Sequence, residues 1–193
     1  VKVDLFPHEV YIFTPKGEVK QFPRGATPVD FAYGIHSDVG NHCVGAKVNG
    51  KIVPLKYEFR SGDTVEIMTS PSQKPSKDWL KFVKTSRAKT KIRQWFKTEE
   101  MEKSITLGKD ILEKELRKYN LQQAKLIKSG DLARVAGEFS FHDVDDLIAA
   151  VGYGKLTANQ IIGKILPPEK LEQKEAEEEG RLKRLIQKVT HRG

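Results

Sequence analysis

A tyrosine and a histidine stand three residues apart in the stretch ATPVDFAYGIHSDVG, residues 26–40. Residues three apart on a helix are surface neighbours, so Tyr33 and His36 would lie side by side on the shoulder of the apolar stripe. A partly exposed imidazole beside an aromatic ring suits the stacking of an unpaired base. It equally suits a histidine packed at the rim and hydrogen-bonded to the backbone. The spacing alone leaves both interpretations open.

Basic residues recur at helical spacing in the stretch SRAKTKIRQWFK, residues 86–97. Five of them fall on two neighbouring lines of a helix surface: Arg87, Lys89, Lys91, Arg93 and Lys97. The apolar residues take the opposite stripe: Ala88, Ile92 and Phe96. The whole chain has 34 Lys and Arg residues against 26 Asp and Glu residues, a formal net charge of +8. A solvated helix face explains the basic lines about as well as a contact surface for RNA phosphates, which same-sign crowding favours.

Sequence patterns for catalysis or metal binding are weak. The stretch GAKVNGKI, residues 45–52, fits the first part of a phosphate-binding loop, but Ile52 stands where Ser or Thr would reach a metal ion. Asn49-Gly50 within it signals a hairpin, with no following helix to bind phosphate. His42 and Cys43 are adjacent and cannot both face one ion from a regular strand. We therefore predict no catalytic residue, no metal site and no cofactor.

Cys43 is the single cysteine, which excludes an internal disulfide and favours a reducing compartment. No apolar run approaches the roughly 18 residues that cross a bilayer. The chain is therefore predicted to be cytoplasmic, without a membrane partner. It has neither an initiating Met nor a signal peptide, so we expect it to be an excised piece of a longer protein.

The first half of the chain predicts a small sheet with one helix packed across it, a β-grasp arrangement. Thr27, Pro28 and Asp30 are typical of a helix start, with Asp30 pointing away from the buried side. The helix should end at Gly40 and bury its apolar residues: Phe31, Ala32, Ile35 and Val39. Strands are expected on both sides of it, at residues 10–14, 19–22, 43–48, 51–55 and 64–68.

The second half has apolar residues at helical spacing throughout. Helices are expected at residues 79–84, 87–101, 107–119, 121–128 and 131–138, then from Val144 to Gly152 and from Thr157 to the Pro167–Pro168 pair. The predicted fold class is therefore α+β. Its parts are a linker at 1–8, a β-grasp domain at 9–70, a linker at 71–76, an all-α helical domain at 77–168, and a charged helix or linker at 169–193.

Four stretches of the first half together resemble the TGS domain of RelA/SpoT-type (p)ppGpp synthetases: VYIFTPKGEV, ATPVDFAYGIHSDVG, VGAKVNGKIVPL and SGDTVEIMTS. The continuation PSKDWLKFVKTSRAKTKIRQWFK resembles the segment that leads into the helical domain of the same proteins. Threonyl-tRNA synthetases and some GTPases also carry TGS domains, but without this continuation. LTANQIIGKILP resembles the end of that helical domain.

The resemblance implies a regulatory, RNA-binding role and no catalysis by this fragment. In the family, hydrolase and synthetase domains would precede Val1, and zinc-finger-like and ligand-binding regulatory domains would follow Gly193. The TGS domain of the family binds the free 3′ CCA end of a deacylated tRNA on the ribosome. A histidine in its Y-x-I-H-S motif stacks on that end, which here implies His36, with Tyr33 at the start of the motif. A closed pocket around the 3′ end would exclude an aminoacyl group.

A protein-interaction module is the alternative. Some family members bind acyl carrier protein, an acidic partner that a basic surface also suits, and docking onto the parent's own catalytic domains is a further option. Gly34 departs from the family pattern, in which this variable position often holds a larger residue.

Overall fold

The computed structural model describes residues 8–190. Its contacts divide the chain into two compact units, Val1–Thr98 and Glu99–Gly193. The predicted linker at 1–8 lies outside the described residues, apart from His8. The first unit contains all the strands of the described residues and the second is helical, which confirms the α+β prediction.

The first unit contains five short strands. β1 (Glu9–Phe13) and β2 (Val19–Pro23) form an antiparallel hairpin. β3 (Cys43–Val48) pairs antiparallel with β4 (Lys51–Val53) on one side and with β5 (Val65–Thr69) on the other. A parallel bridge between Phe13 and Thr64 links the hairpin to β5, which gives the mixed pairing of a β-grasp arrangement. Asn49 and Gly50 both have positive φ, as the tight turn between β3 and β4 requires.

The helix expected to end at Gly40 is instead two helices. α1 is Pro28–Ile35 and α2 is Ser37–Asn41, and His36 between them has extended backbone angles of φ −160° and ψ 152°. The predicted buried stripe is therefore wrong in its second half. Ile35 is about half exposed, whereas Phe31 and Ala32 are buried as expected.

α1 is buried on two sides, which extends the first unit beyond the expected boundary at residues 71–76. On one side Phe31 packs in a cluster with the strands, with its ring centroid 6.1 Å from that of Phe59. On the other side Val29 and Tyr33 pack in a second cluster, which draws on the segment after the sheet: Trp79, Val83, Ala88 and Ile92. Because this segment covers α1, the compact unit reaches Thr98.

The segment after the sheet begins with a 3₁₀ helix, Lys77–Lys81, followed by α3, Ser86–Lys118. The spacing of the apolar residues predicted two helices, at residues 87–101 and 107–119, in place of α3. The stretch between them contains neither Gly nor Pro, and its Ser, Ile and Thr each cost only tenths of a kcal/mol in a helix, roughly. The 33-residue helix therefore continues without a break.

Five further helices complete the second unit: α4 (Gln123–Ser129), α5 (Asp131–Glu138), α6 (Val144–Gly152), α7 (Ala158–Ile165) and α8 (Pro168–Thr190). The first four confirm the predicted helices to within two residues. Their apolar faces meet the later part of α3 in one core that includes Leu112, Leu132, Leu147 and Ile161. The predicted charged tail is α8, which has no buried residue.

α3 and α6 cross with their backbones almost in contact. A Cβ atom added at Gly152 would lie 1.9 Å from the carbonyl oxygen of Ser104, and one added at Gly108 would lie 2.0 Å from that of Ile148. Glycine at both positions allows an approach that no larger residue permits. This crossing fixes the geometry of the helical core.

Each helix within residues 8–190 is too short or too polar to span a lipid bilayer.

Candidate nucleic-acid interface

His36 occupies the break between α1 and α2. Its backbone N–H donates to the carbonyl of Ala32 at 3.2 Å, which closes α1, and its carbonyl accepts from the N–H of Gly40 at 3.0 Å, which opens α2. The side chain is 67% exposed. The backbone of this residue is therefore fixed at both ends while its ring projects into solvent.

The orientation of the imidazole is set by α2. Nδ1 accepts a hydrogen bond from the backbone N–H of Asp38 at 3.1 Å, so the ring caps the first turn of α2. The Asp38 carboxylate lies 3.6 Å from the same nitrogen. In the neutral ring the proton is therefore on Nε2, because Nδ1 is the acceptor. This leaves an outward-facing N–H donor and an exposed ring face.

Tyr33 does not share this surface. The expectation of a partly exposed ring beside His36 is wrong, since Tyr33 is fully buried. Its hydroxyl donates to Oδ1 of Asn41 at 2.8 Å. Burial raises the pKa of the hydroxyl above its ordinary value, with a smaller contribution from Cys43, so the group stays a neutral donor. Tyr33 thus ties α1 to the end of α2 instead of offering a ring to a base.

Gly40 makes the contact between Tyr33 and α2 possible. A Cβ atom at this position would lie 2.2 Å from the Tyr33 ring. Gly34 is more tolerant, because an added Cβ would meet the edge of Phe22 at 3.1 Å. A larger residue there would shift Phe22, whose ring packs 5.5 Å from that of Phe31.

An open recess of about 350 Å³ lies beside α2. It is lined by Asp38, Val39, His42, Thr69, Ser70 and Pro71. Asp38 joins the recess to His36, and its carbonyl lies 2.7 Å from Nδ1 of His42. The expected closed pocket around His36 is not formed by the described residues, since the ring itself is exposed.

The predicted basic residues lie on the early part of α3, within the first unit. Arg87, Arg93 and Lys97 are exposed, and Lys89 and Lys91 are half-buried. Ala88 and Ile92 are fully buried on the opposite side, as the spacing predicted. Within residues 8–190, none of the five basic side chains forms an ion pair. No hydrogen bond joins them to His36 there either, so the structure gives two separate groups within one unit.

Asp30 is a positioning residue that the sequence analysis placed on the wrong side. Its side chain is 1% exposed. One carboxylate oxygen accepts from the backbone N–H and the hydroxyl of Thr27 at 2.9 and 3.0 Å. The other accepts from the backbone N–H and the hydroxyl of Thr85 at 2.8 and 2.9 Å, and both lie within 3.1 Å of the N–H of Lys84. The carboxylate thereby joins the start of α1 to the residues just before α3.

The other chemical patterns have structural explanations. Residues 45–52 lie in the hairpin of β3 and β4, where no helix follows Gly50. Cys43 is buried and its thiol donates to the carbonyl of Gly45 at 3.7 Å. Burial raises the pKa of this thiol to about 11, which keeps it protonated at neutral pH.

One cluster of polar side chains was missed by the sequence analysis. Oxygen or nitrogen atoms of His142, Asp143 and Asp146 lie within 4.8 Å of one another at the start of α6. Asp143 accepts from the backbone N–H of Asp146 at 2.8 Å and is the N-cap of the helix. This hydrogen bond, more than the neighbouring His142, lowers the pKa of the Asp143 carboxyl.

Two domain families match the chain. The TGS domain matches residues 10–69, which is the sheet with α1 and α2. The RelA/SpoT AH domain matches residues 95–166, which begins in α3 and ends in the last turn of α7 and its C-cap. The two matches follow each other along the chain without overlap.

Curated relatives include proteins of (p)ppGpp metabolism. The chain is 57% identical over 176 residues to a GTP pyrophosphokinase of Myxococcus xanthus, a match that covers 91% of the chain and 23% of the relative. It is 47% identical over 175 residues to a guanosine-3′,5′-bis(diphosphate) 3′-pyrophosphohydrolase of Aquifex aeolicus, covering 91% of the chain and 24% of the relative.

The bifunctional (p)ppGpp synthase/hydrolase RelA of Mycobacterium tuberculosis is 43% identical over 168 residues, with 86% of the chain and 23% of the relative covered. The chain thus spans about a quarter of the length of the relatives it matches. Together with the two domain matches, these similarities show that the chain belongs to the RelA/SpoT family and carries its TGS and AH domains.

Proposed function

We propose that this chain is a regulatory RNA-binding module that recognises the free 3′ CCA end of a deacylated tRNA on the ribosome. Through that contact it would relay amino-acid starvation to the catalytic domains of a (p)ppGpp synthetase or hydrolase. The observation that carries the proposal is His36, an exposed imidazole whose orientation is fixed by two helix ends. We assign no reaction to the residues of this chain.

The geometry of His36 suits an unpaired terminal base. The exposed ring face supplies a stacking surface, and the outward Nε2–H supplies a donor for a phosphate or a base edge. Because the backbone is held on both sides, the ring loses little further freedom when a nucleotide binds. The open recess next to Asp38 and His42 leaves room for the terminal ribose, whose 2′ and 3′ hydroxyls are both free only in an uncharged tRNA.

The basic residues of α3 suit contacts with RNA phosphates, which add to tRNA affinity without depending on the nucleotide sequence. Side chains without ion-pair partners at Arg93 and Lys97 can neutralise phosphates without first breaking an internal ion pair. Backbone contacts position a nucleic acid while the contact at the base supplies specificity. We therefore assign affinity to α3 and recognition of the 3′ end to His36.

Replacement of His36 by Ala is expected to weaken binding of deacylated tRNA by about 10-fold or more, since stacking contributes about 1–3 kcal/mol per base. The measurement is titration of labelled tRNA with the 193-residue chain at several salt concentrations. His142→Ala, which removes an exposed histidine of the second unit, is the matched control and should bind like the wild type. Equal affinities for wild type and His36→Ala, or no preference for uncharged over aminoacylated tRNA, would remove the proposal.

Replacement of both Arg93 and Lys97 by Ala is expected to reduce the dependence of tRNA affinity on salt. Each lost phosphate contact lowers the slope of log K against log salt by about 0.7–0.9. Lys109→Ala with Lys114→Ala, two exposed lysines further along the same helix, controls for net charge. A slope that changes equally in both double variants would show that α3 contributes only its overall charge.

The same unpaired basic side chains also suit an acidic protein, which keeps a protein-interaction module as the second candidate. Acyl carrier protein, or the catalytic domains of the parent protein, would then occupy this surface. Recovery of ribosomes from a lysate that is lost on RNase treatment supports the RNA-binding function. Recovery of one small acidic protein that RNase does not affect supports the alternative.

A further inference from the structure

The second half of α8 carries an apolar stripe that the described residues leave uncovered. The stripe consists of Leu182, Leu185, Ile186 and Val189, which are 59%, 55%, 58% and 75% exposed. Their spacing of three, one and three residues places them on one face of the helix. Scattered exposed apolar residues are ordinary on a protein surface, but four on one face of one helix mark an interaction surface.

This stripe continues a face that is already covered at the start of α8. Leu171 packs against the core of the second unit, and Glu178 lies 3.8 Å from Nζ of Lys118. Counting about 100° per residue, Leu171, Leu182, Leu185 and Val189 fall within about 60° of one another. The first turns of α8 thus use this face for helix packing, and the later turns present it to solvent.

The charges beside the stripe define what can cover it. From residue 181 to 190 there are four basic residues and no acidic one: Arg181, Lys183, Arg184 and Lys188. A second copy of the chain that aligned the two stripes would bring these cations together. An occupant with acidic flanks would pair with them, and apolar residues at helical spacing would fill the stripe.

We propose that the stripe of α8 is a docking surface for an amphipathic helix with acidic flanks, supplied by a partner protein. The helix would lie along α8 and continue the packing that Leu171 begins. Apolar contacts would supply most of the affinity, and the charges would select the partner and its orientation.

The test uses the 193-residue chain and a synthetic 21-residue helical peptide, with Leu at positions spaced like the stripe and Glu on both flanks. Fluorescence anisotropy should show saturable binding that weakens at high salt. A peptide of the same composition with the Leu spacing scrambled should bind at least 10-fold more weakly. Absence of binding, or equal binding of the two peptides, would overturn the proposal.

Two variants of the chain separate the apolar contribution from the charges. Leu185→Asp should weaken binding by about 30-fold or more, as expected for loss of a buried leucine. Ile127→Asp, at an exposed apolar residue of α4, is the matched control and should leave binding unchanged. Arg184→Glu with Lys188→Glu keeps the stripe intact and should transfer the preference to a peptide with Lys flanks; an unchanged preference would overturn the assignment of the partner's charge.

Two competing occupants are examined in parallel. Vesicles of anionic phosphatidylglycerol that bind the chain more tightly than the acidic peptide, with loss of binding in Leu185→Asp, would assign the stripe to a lipid surface instead. A dimer in sedimentation that Leu185→Asp dissociates would assign it to a second copy. A monomer that does not bind vesicles and does bind the acidic peptide supports the proposal.

Discussion

Replacement of Gly152 by Ala is expected to lower the free energy of unfolding of the helical unit by about 3 kcal/mol or more, the upper range for overpacking. The added methyl group would lie 1.9 Å from the carbonyl oxygen of Ser104. The obstacle is backbone in the middle of α3, which cannot rotate away as a side chain can. The two helices would have to separate, and the core around Leu147 and Leu112 would lose contacts along the crossing.

Gly137 supplies the matched control for this effect. It also lies in a helix, α5, but an added Cβ atom would meet nothing within 4 Å. Ala is better than Gly in a helix by about 0.5–1 kcal/mol, so Gly137→Ala should stabilise the unit slightly. If Gly152→Ala lowers the free energy of unfolding and Gly137→Ala raises it, the cause is the clash with Ser104 and not helix propensity.

Circular dichroism and tryptophan fluorescence together locate the change. Both tryptophans of the chain, Trp79 and Trp95, lie in the first unit, whereas the second unit is helical. Gly152→Ala should move the urea midpoint seen by circular dichroism at 222 nm to lower concentration. The fluorescence midpoint should move less. An unchanged midpoint by circular dichroism would show that α3 and α6 do not approach as closely as the structure indicates.

Replacement of Asp30 by Ala is expected to cost the first unit about 3 kcal/mol or more. The carboxylate is buried and accepts hydrogen bonds from Thr27, Lys84 and Thr85. Its removal leaves several buried donors without an acceptor, and each such group costs about 1–3 kcal/mol. The residues before α3 would then detach more easily from α1.

The fluorescence midpoint is the measurement for Asp30→Ala, because Trp79 packs in the cluster that the carboxylate closes. Asp30→Asn keeps one acceptor oxygen but turns an NH2 donor toward the N–H donors at the other position, so it should also lower the fluorescence midpoint. Asp78→Ala, at an exposed aspartate paired with Lys81, should change little, since exposed ion pairs contribute about 0–1 kcal/mol. Equal midpoints for Asp30→Ala and Asp78→Ala would contradict the structural role assigned to the buried carboxylate.

The start of α1 and the hairpin of β3 and β4 could be predicted from neighbouring residues alone. Thr27-Pro28 favours the backbone conformation of a helix start, and Asn49-Gly50 favours the positive φ angles of a tight turn. The same reasoning failed for Tyr33 and Asp30. A helical wheel assumes one buried face, but α1 is covered on one side by the sheet and on the other by residues more than 40 positions further along the chain. Packing between residues so far apart in the sequence cannot be predicted from the spacing of apolar residues within α1.

The break at His36 had no local signal either. The residue is neither Gly nor Pro, and Gly40 four positions later is the stronger helix stop. The break gives α2 its own direction and places Gly40 against the Tyr33 ring. The side chain of His36 is exposed, as its position on the shoulder of the helix predicted, whereas the neighbours around it, Asp38, Asn41 and Gly40, emerged only from the structure.

In the helical unit, α5 and α6 were predicted to the residue from the spacing of their apolar residues, and the structure shows Gly130 and Asp143 at their N-caps. The division of α3 into two helices was wrong, since nothing in its middle breaks a helix. The crossing of α3 and α6 was not predicted. Gly108 and Gly152 look like helix-weakening residues in the sequence, and only their contact across the core explains them.

The buried thiol of Cys43, at the start of β3, can be used to measure local opening of the first unit. The Cys43 thiolate must attack the carbon of an alkylating reagent and displace its leaving group, and this requires access to sulfur. Cys43 can therefore react only while the strand end beside α2 is transiently open. The labelling rate with iodoacetamide under native conditions would thus time the local opening of the segment that follows His36. A bound tRNA that holds this segment closed would lower the labelling rate of Cys43.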